Sequence, residues 1–495
     1  MQGYQFARGV GWMIAGRVVS NLLGVVSTLV VAARLAPGEM GIFVLANSLV
    51  QIVLAVFELQ TSLILIQMGN PSREDFNTVF TISLIRGLVL SVMLLLAAWP
   101  YARAFHQPGM VPLLLALSIY PLLLSIRNPY FELHARDAQF LPTTLLEIGT
   151  KIGSFVGTVG VVLICPSYWA LYAGLVLSAI TALAVNFGLS KDVPGFSLRS
   201  FSKVFSFSIW LGFAAFVNQS NRQMARLLLG GVFGTALLGA FAMAAQILEQ
   251  IMNILIQPVN WVSYSSFSKI NHDKERLRQT YLAVHAGTGA LLLPAAVGLF
   301  LVVNDLIHLL LSERWGEAVI FAEFAALATF IRLLAGPAWS LAMSLGETRV
   351  LFWRTLVMTF IRLVFQVLGI MFGGLQGFLV SGLVAEAAGC YVTLSLLRKV
   401  CGLRRIDVLF AVARPVFACL LMVGSVYALH HQMLLNAEHR VRLLSDVGVG
   451  ILTYLLASWS IWRVAGQPEG HERRAIELGM HALRIARSRL SSAFV

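Results

Sequence analysis

The feature that most constrains this chain is the recurrence of apolar stretches about 20 residues long, the length a helix needs to cross a hydrocarbon core about 30 Å thick. Fourteen can be drawn, over residues 10–33, 41–66, 78–99, 110–126, 141–163, 168–189, 205–229, 235–258, 280–303, 317–345, 350–372, 376–397, 411–430 and 443–462. Leu, Val, Ala and Gly fill them without period-2 alternation. They therefore predict helices and not barrel strands of about ten alternating residues. Composition agrees: 58% of the 495 residues are hydrophobic and 12% charged, against about 45–50% and about 25% in soluble domains. Those values exclude water-soluble, disordered, collagen-like and disulfide-scaffold classes.

The net charge of +13 does not point to nucleic acid. Lys and Arg sit in short clusters between apolar runs, which is the pattern of membrane loops. If the N-terminus, every second loop and the C-terminus share one side, 24 Lys and Arg collect there and five on the other. The positive-inside rule then predicts that both termini are cytoplasmic. The first span is too long for a secretory signal and is expected to stay. Cys165, Cys390, Cys401 and Cys419 show no C-x-x-C spacing, so they are expected to act as small hydrophobes; no catalytic and no metal site is expected.

An internal duplication is visible. Gly41, Phe43 and Ala46 recur as Gly239, Phe241 and Ala244 at an offset of 198, while Pro129 matches Pro337 and Gly174-Leu175 matches Gly382-Leu383 at an offset of 208. Six spans separate the copies, an even number, so the halves run in parallel about an axis along the membrane normal. The expected fold is an all-α integral membrane protein of about fourteen transmembrane helices. Its parts are an N-terminal six-helix lobe at 1–190, a cytoplasmic loop at 191–204, a second six-helix lobe at 205–398, two further helices at 399–462 and a basic amphipathic tail at 463–495. That tail is expected to lie on anionic membrane lipids.

The stretch Ala33-Arg34-Leu35-Ala36-Pro37-Gly38-Glu39-Met40-Gly41-Ile42-Phe43 resembles the signature joining spans 1 and 2 of the polysaccharide-transport, or Wzx-type, flippases of the multidrug/oligosaccharidyl-lipid/polysaccharide (MOP) exporter superfamily. Leu228-Leu229-Gly230, Leu238-Gly239-Ala240-Phe241 and the polar run from Ser263 to Arg278 follow the same pattern. Relatives often carry an acid before the Leu-Leu-x-Gly and a Pro after span 8, where this chain has Ala225 and Ser265. The resemblance implies two lobes around a central cavity and alternating access. It also implies movement of an undecaprenyl-pyrophosphate-linked oligosaccharide across the bacterial inner membrane, for lipopolysaccharide or exopolysaccharide synthesis. Implied partners are the lipid-linked oligosaccharide, membrane lipids and polysaccharide polymerase machinery. No cofactor is expected, and a H⁺ or Na⁺ is the one co-substrate that buried acids could couple to transport.

Buried charge offers an independent argument. Setting aside 29 cations of loops, tails and span ends, Arg354 and Arg414 among them, leaves seven of the 36 deep inside spans: Arg17, Arg86, Lys151, Arg222, Arg226, Arg332 and Arg362. Each would cost about 2.5–3.5 kcal/mol at the bilayer centre, so they are expected to face an interior, as candidates to line a substrate cavity. The five acids that lie clearly within spans, Glu58, Glu147, Glu249, Glu323 and Glu386, are too few to neutralise them, and a net-basic interior suits a pyrophosphate. Glu147 and Lys151, spaced i,i+4, could equally form an internal ion pair. Arg17, Arg86 and Arg226 could snorkel to an interface. Arg332 and Arg362, near mid-span with no acid one turn away, are the leading candidates. Glu58 and Glu249 are candidates to carry a coupling ion or to act as counter-ions. Trp210, Tyr264, Trp339 and Trp353 are expected to be interface anchors or sugar-stacking platforms. The competing readings are a cation-coupled small-molecule exporter, which should have a net-acidic cavity, and a membrane-embedded polysaccharide polymerase or glycosyltransferase, which needs a larger outer loop than this chain has.

Overall fold

The computed structural model describes residues 2–56, 65, 71–137, 139–270, 272–433 and 438–467. Every regular element among them is helical. In chain order the helices are α1 (Gln2–Arg34), α2 (Pro37–Val56), α3 (Arg73–Ala104), α4 (Val111–Leu117), α5 (Tyr120–Ser125), α6 (Glu132–Arg136), α7 (Phe140–Ile164), α8 (Trp169–Leu189) and α9 (Phe201–Val232). They continue with α10 (Thr235–Ser268), α11 (Lys274–Leu310), α12 (Ala318–Leu333), α13 (Ala338–Ser344), α14 (Thr348–Cys401), α15 (Arg405–Ala411), α16 (Ala413–Met433) and α17 (His439–Val464).

Eleven described helices are long and apolar enough to cross a membrane, or twelve if the bent pair α12 and α13 is one span. The expected fourteen are not reached by that criterion. One of the eleven, 349–401, is interrupted at Gly374, whose φ of 54° and ψ of −133° are not helical. That is where the hydropathy pattern separates 350–372 from 376–397. Large apolar side chains such as Leu96, Phe372 and Leu444 are 74%, 85% and 75% exposed. Such a surface is stable against lipid and not against water.

Local chemistry sets the helix ends. Ser72 caps α3 in a full capping box with Asp75, each satisfying the other's backbone N–H. Gly402 closes α14 at φ 70°, a left-handed conformation costly for any residue with a Cβ. Two spans break near their middles. The run from Pro108 to Ser125 divides into α4 and α5, and α12 turns by 47° into α13. The shorter helices α6 and α13 follow Pro129, beyond the end of its span, and Pro337, inside the bent pair.

Two compact units emerge. The first comprises Met1–Gln250 with Leu311–Ala318. Its interior includes fully buried Trp315, whose Nε1 donates to the Ala32 carbonyl at 2.8 Å. Here α7 and α8 approach through glycine: a Cβ on Gly157 would stand 2.6 Å from the Ala173 carbonyl oxygen, and one on Gly153 2.8 Å from that of Leu177. Small residues spaced by four let membrane helices meet backbone to backbone. The repeat glycines behave likewise, because a Cβ on Gly41 would run into the Thr235 carbonyl and one on Gly239 into that of Pro37. The starts of α2 and α10 are thus pressed together reciprocally.

The second unit comprises Ile251–Leu310 and Val319–Val495. Leu293 of α11, Val412, Ala418, Cys419 and Met422 around α16, and Tyr454 and Ala457 of α17 form one buried cluster. The Tyr454 hydroxyl donates to the Ala290 carbonyl at 2.7 Å. Within α14, Gly369 and Gly377 abut across the Gly374 break, folding that element back on itself.

Candidate functional site

Polar chemistry inside the first unit is concentrated along α2 and α9. On α9, Gln219 and Gln223 are 9% and 3% exposed and are satisfied across the helix pair. Gln219 Nε2 donates to Gln51 Oε1 at 3.3 Å, and the Ser48 hydroxyl reaches Gln223 Oε1 at 3.1 Å. Both glutamines also accept from arginine. Arg222 Nε donates to Gln219 Oε1 at 2.8 Å, with its Nη2 bonded to the same oxygen, and Arg226 Nη1 donates to Gln223 Oε1 at 3.0 Å. The i,i+3 spacing creates these pairs on one helix face. Arg222 is exposed and Arg226 half-buried, and the exposed Glu249 of α10 acts electrostatically on Arg226.

The same unit holds a cavity of about 280 Å³. Ser27, Thr28, Ser154, Thr158, Ser178, Tyr120 and Gln246 supply its polar lining, and Val31, Met40, Phe43, Leu171, Leu175 and Met243 the rest. Thr28 is its best-connected group. The hydroxyl donates to the Gly24 carbonyl at 2.9 Å and accepts from Gln246 Nε2 at 2.7 Å and Gln250 Nε2 at 3.0 Å. Phe43 of the opening signature lines this chamber. In the same signature Glu39 Oε2 accepts from the Tyr168 backbone N–H at 2.9 Å, tying the α2 start to the α8 start.

Arginine chemistry in the second unit is carried mainly by α14. Arg362 pairs with Glu386 across the Gly374 break, their side chains 26% and 16% exposed. No acid lies one turn from Arg362 in the sequence; its partner is on the returning half of the same element. Arg354, set among the span-end cations although it falls inside the span drawn at 350–372, lies within α14 and donates from Nε at 2.9 Å and Nη2 at 2.7 Å to the Thr393 hydroxyl. Arg332 is exposed in the last turn of α12, just before the break, with Nη2 3.3 Å from the Thr329 hydroxyl.

The remaining candidates are scattered. Arg17 is exposed on α1, and Arg86 half-buried on α3. Glu147 and Lys151 are both exposed on α7 and, among the described residues, close no salt bridge with each other. Glu323 is half-buried on α12. Tyr264, Trp339 and Trp353 are 43%, 58% and 54% exposed, as interface residues would be. Glu58, the tail from His471 to Val495 and the side chain of Trp210 lie outside the described residues. Sequence reasoning missed the Gln–Arg ladder because neutral amides carry no charge signal. The i,i+3 recurrence of Gln219-Arg222 and Gln223-Arg226 was the available clue.

The chain matches the profile of a family described as polysaccharide biosynthesis protein over residues 17–320. It is 23% identical to the succinoglycan biosynthesis transport protein ExoT of Rhizobium meliloti over 455 residues, covering 90% of this chain and 91% of that one. It is 22% identical to the lipopolysaccharide biosynthesis protein WzxC of Escherichia coli over 377 residues, covering 74% and 76%. Among solved structures, the lipid II flippase MurJ in an inward closed conformation superposes with a TM-score of 0.75 at 13% identity, covering 92% of this chain and 99% of that chain. An inward-facing multidrug resistance MATE transporter of the MOP superfamily gives 0.63 at 16% identity, covering 81% and 99%.

Proposed function

Because the chain belongs to the polysaccharide biosynthesis protein family and has the multi-pass fold of the MOP exporters, we propose that it flips a lipid-linked oligosaccharide. The carrier is an undecaprenyl pyrophosphate, and the direction is from the cytoplasmic to the outer leaflet of the bacterial inner membrane. The product feeds assembly of a surface polysaccharide. The chain is a transporter and not an enzyme; its relative ExoT is a succinoglycan biosynthesis transport protein.

One observation carries the anionic-substrate reading. Four in-span arginines are held by neutral oxygens: Arg222 by Gln219, Arg226 by Gln223, Arg354 by Thr393 and Arg332 by Thr329. An amide or hydroxyl acceptor orients a guanidinium without cancelling its charge, whereas a carboxylate would do both. Pre-oriented positive charge, with Glu249 acting on Arg226 and Glu386 on Arg354 only at a distance, is costly in a membrane and suits a substrate that brings phosphate oxygens. Arg362 is less suited to that role because Glu386 already neutralises it. Arg17 and Lys151 are exposed. Coupling to a H⁺ or Na⁺ gradient through Glu249, beside Arg226, belongs to the same proposal.

The test is export of surface polysaccharide in cells lacking their own copy, with variant abundance checked by blot. Arg222→Ala, Arg226→Ala and Arg354→Ala should each remove a charge-assisted contact worth about 1.5–3 kcal/mol, or about ten- to a hundredfold in substrate affinity. Lys at each position should restore part of the loss, because charge acts first and fork geometry second. A purified protein should bind a lipid-linked pyrophosphate sugar in preference to a cationic dye. Normal export by all three Ala variants at normal abundance, or preference for the dye, would overturn the reading.

A further inference from the structure

The second unit contains a cluster of ionisable side chains that substrate transport leaves unused. Asp305 of α11, His430 of α16 and Asp446 of α17 each bring one ligand atom within 4.8 Å of the others. Both aspartates are 2% exposed. His430 Nε2 lies 2.8 Å from Asp446 Oδ2, and Nδ1 of His439, at the start of α17, lies 2.6 Å from Asp305 Oδ1. His308, one turn beyond Asp305, stacks on His439 with ring centroids 5.0 Å apart. Asp446 Oδ1 is buried without a hydrogen-bond partner.

Two desolvated carboxylates at this separation repel each other, and buried charges persist only when paired or bound to a metal. Arg442 acts electrostatically on Asp446. Each carboxylate also meets one imidazole, His430 on Asp446 and His439 on Asp305, which adds charge only when protonated, and the buried Oδ1 still lacks a donor. A divalent cation satisfies both demands at once. The donor set of two carboxylate oxygens and one imidazole nitrogen suits Zn²⁺, whereas Mg²⁺ and Ca²⁺ prefer oxygen alone. His439 bonded to Asp305 has the form of the outer carboxylate–imidazole contacts that fix metal ligands in orientation.

We propose that Asp305, His430 and Asp446 form a zinc site that ties α11, α16 and α17 together, with His439 as a positioning residue on Asp305. These helices already share the buried cluster around Leu293, Cys419 and Tyr454. The metal would lock the end of that bundle where α11 and α16 finish and α17 begins. The role is structural and independent of the substrate assignment.

The full-length protein, purified in detergent and stripped with chelator, should bind one Zn²⁺ per chain by calorimetry and elemental analysis, and Mg²⁺ should not compete. Zinc should raise the thermal unfolding midpoint, since a ligand bound only by the folded state stabilises it. Asp446→Asn and His430→Ala should each weaken zinc binding at least about tenfold and abolish the thermal response. His439→Ala should weaken it less. X-ray absorption of the zinc-loaded wild type should show a mixed nitrogen and oxygen shell, a readout that needs no variant to fold. Absence of saturable binding by the wild type, an all-oxygen shell, or undiminished affinity in both Asp446→Asn and His430→Ala would overturn the site.

Discussion

Arg362 and Glu386 are 24 residues apart and meet only because α14 doubles back at Gly374. A search for acids one turn along the same helix cannot find such a partner, which is why the sequence promotes Arg362 to an unpaired cation. Arg354 fails in the opposite direction: it lies only a few residues inside the span drawn at 350–372, where a charge reads as part of the flanking loop. The two arginines therefore predict different behaviour. Arg362→Ala strands Glu386 in a partly buried setting, where breaking such a pair costs at most about 3–5 kcal/mol. We expect a lower unfolding midpoint and less protein in the membrane. The double variant Arg362→Met with Glu386→Leu should recover both, because a buried pair replaced by packed apolar groups is often neutral. A double variant that folds normally yet fails to export would return the pair to the substrate path. Among the acids, Glu249→Gln should leave the protein in the membrane while removing the response of export to a collapsed proton or sodium gradient. An unchanged gradient dependence would eliminate Glu249 as the coupling group.

At the scale of elements, the duplication read from Gly41 and Gly239 turns out to be a contact. The two glycines sit at the starts of α2 and α10, each facing the carbonyl beside the other's helix start. The sequence shows that both positions are glycine but not why, because the reason is the backbone of a segment nearly 200 residues away. The prolines were more legible: Pro129 precedes a short helix after a span and Pro337 stands at the bend of α12 into α13, as a residue that ends or redirects a helix should. For the glycine contact we expect Gly41→Ala and Gly239→Ala each to lower stability by about 1–3 kcal/mol, the usual cost of overpacking. The double variant should cost less than the sum, since both changes open the same contact. Gly38→Ala, with nothing within 4 Å of its added Cβ, is the matched control. Equal unfolding midpoints for Gly38→Ala and Gly41→Ala would show that the contact is not tight in solution.

For the whole molecule, class and family were legible because they rest on sums over the chain: apolar length, absence of alternation, and a signature whose Leu35, Pro37 and Gly41 have structural work. Leu35 is fully buried, Pro37 opens α2, and Gly41 meets another backbone. The pair Asp305 and His308, spaced i,i+3 in an apolar run, was visible too, but its partners His430 and Asp446 lie more than 120 residues onward. Their assembly depends on three helices converging. The number of crossings is less legible, because a doubled-back helix and a bent pair each blur what counts as one span. Topology can nevertheless be tested without counting helices. Lys and Arg segregate 24 to five between alternate loops, and each basic residue near a span end resists translocation. Between Arg405, in the basic group with Arg398, Lys399 and Arg404, and His439, beside the sparse Arg440 and Arg442, lies the single apolar run 411–430. A phosphatase or fluorescent reporter fused after Arg405 should therefore read cytoplasmic, and one fused at His439 should read extracytoplasmic. Moving positive charge should move the answer: adding three Lys after Met433 should weaken the extracytoplasmic signal at His439 while leaving the reading at Arg405 unchanged. The same side reported at both fusion points would mean that 411–430 does not cross the membrane, and the parity that puts both termini in the cytoplasm would fall with it.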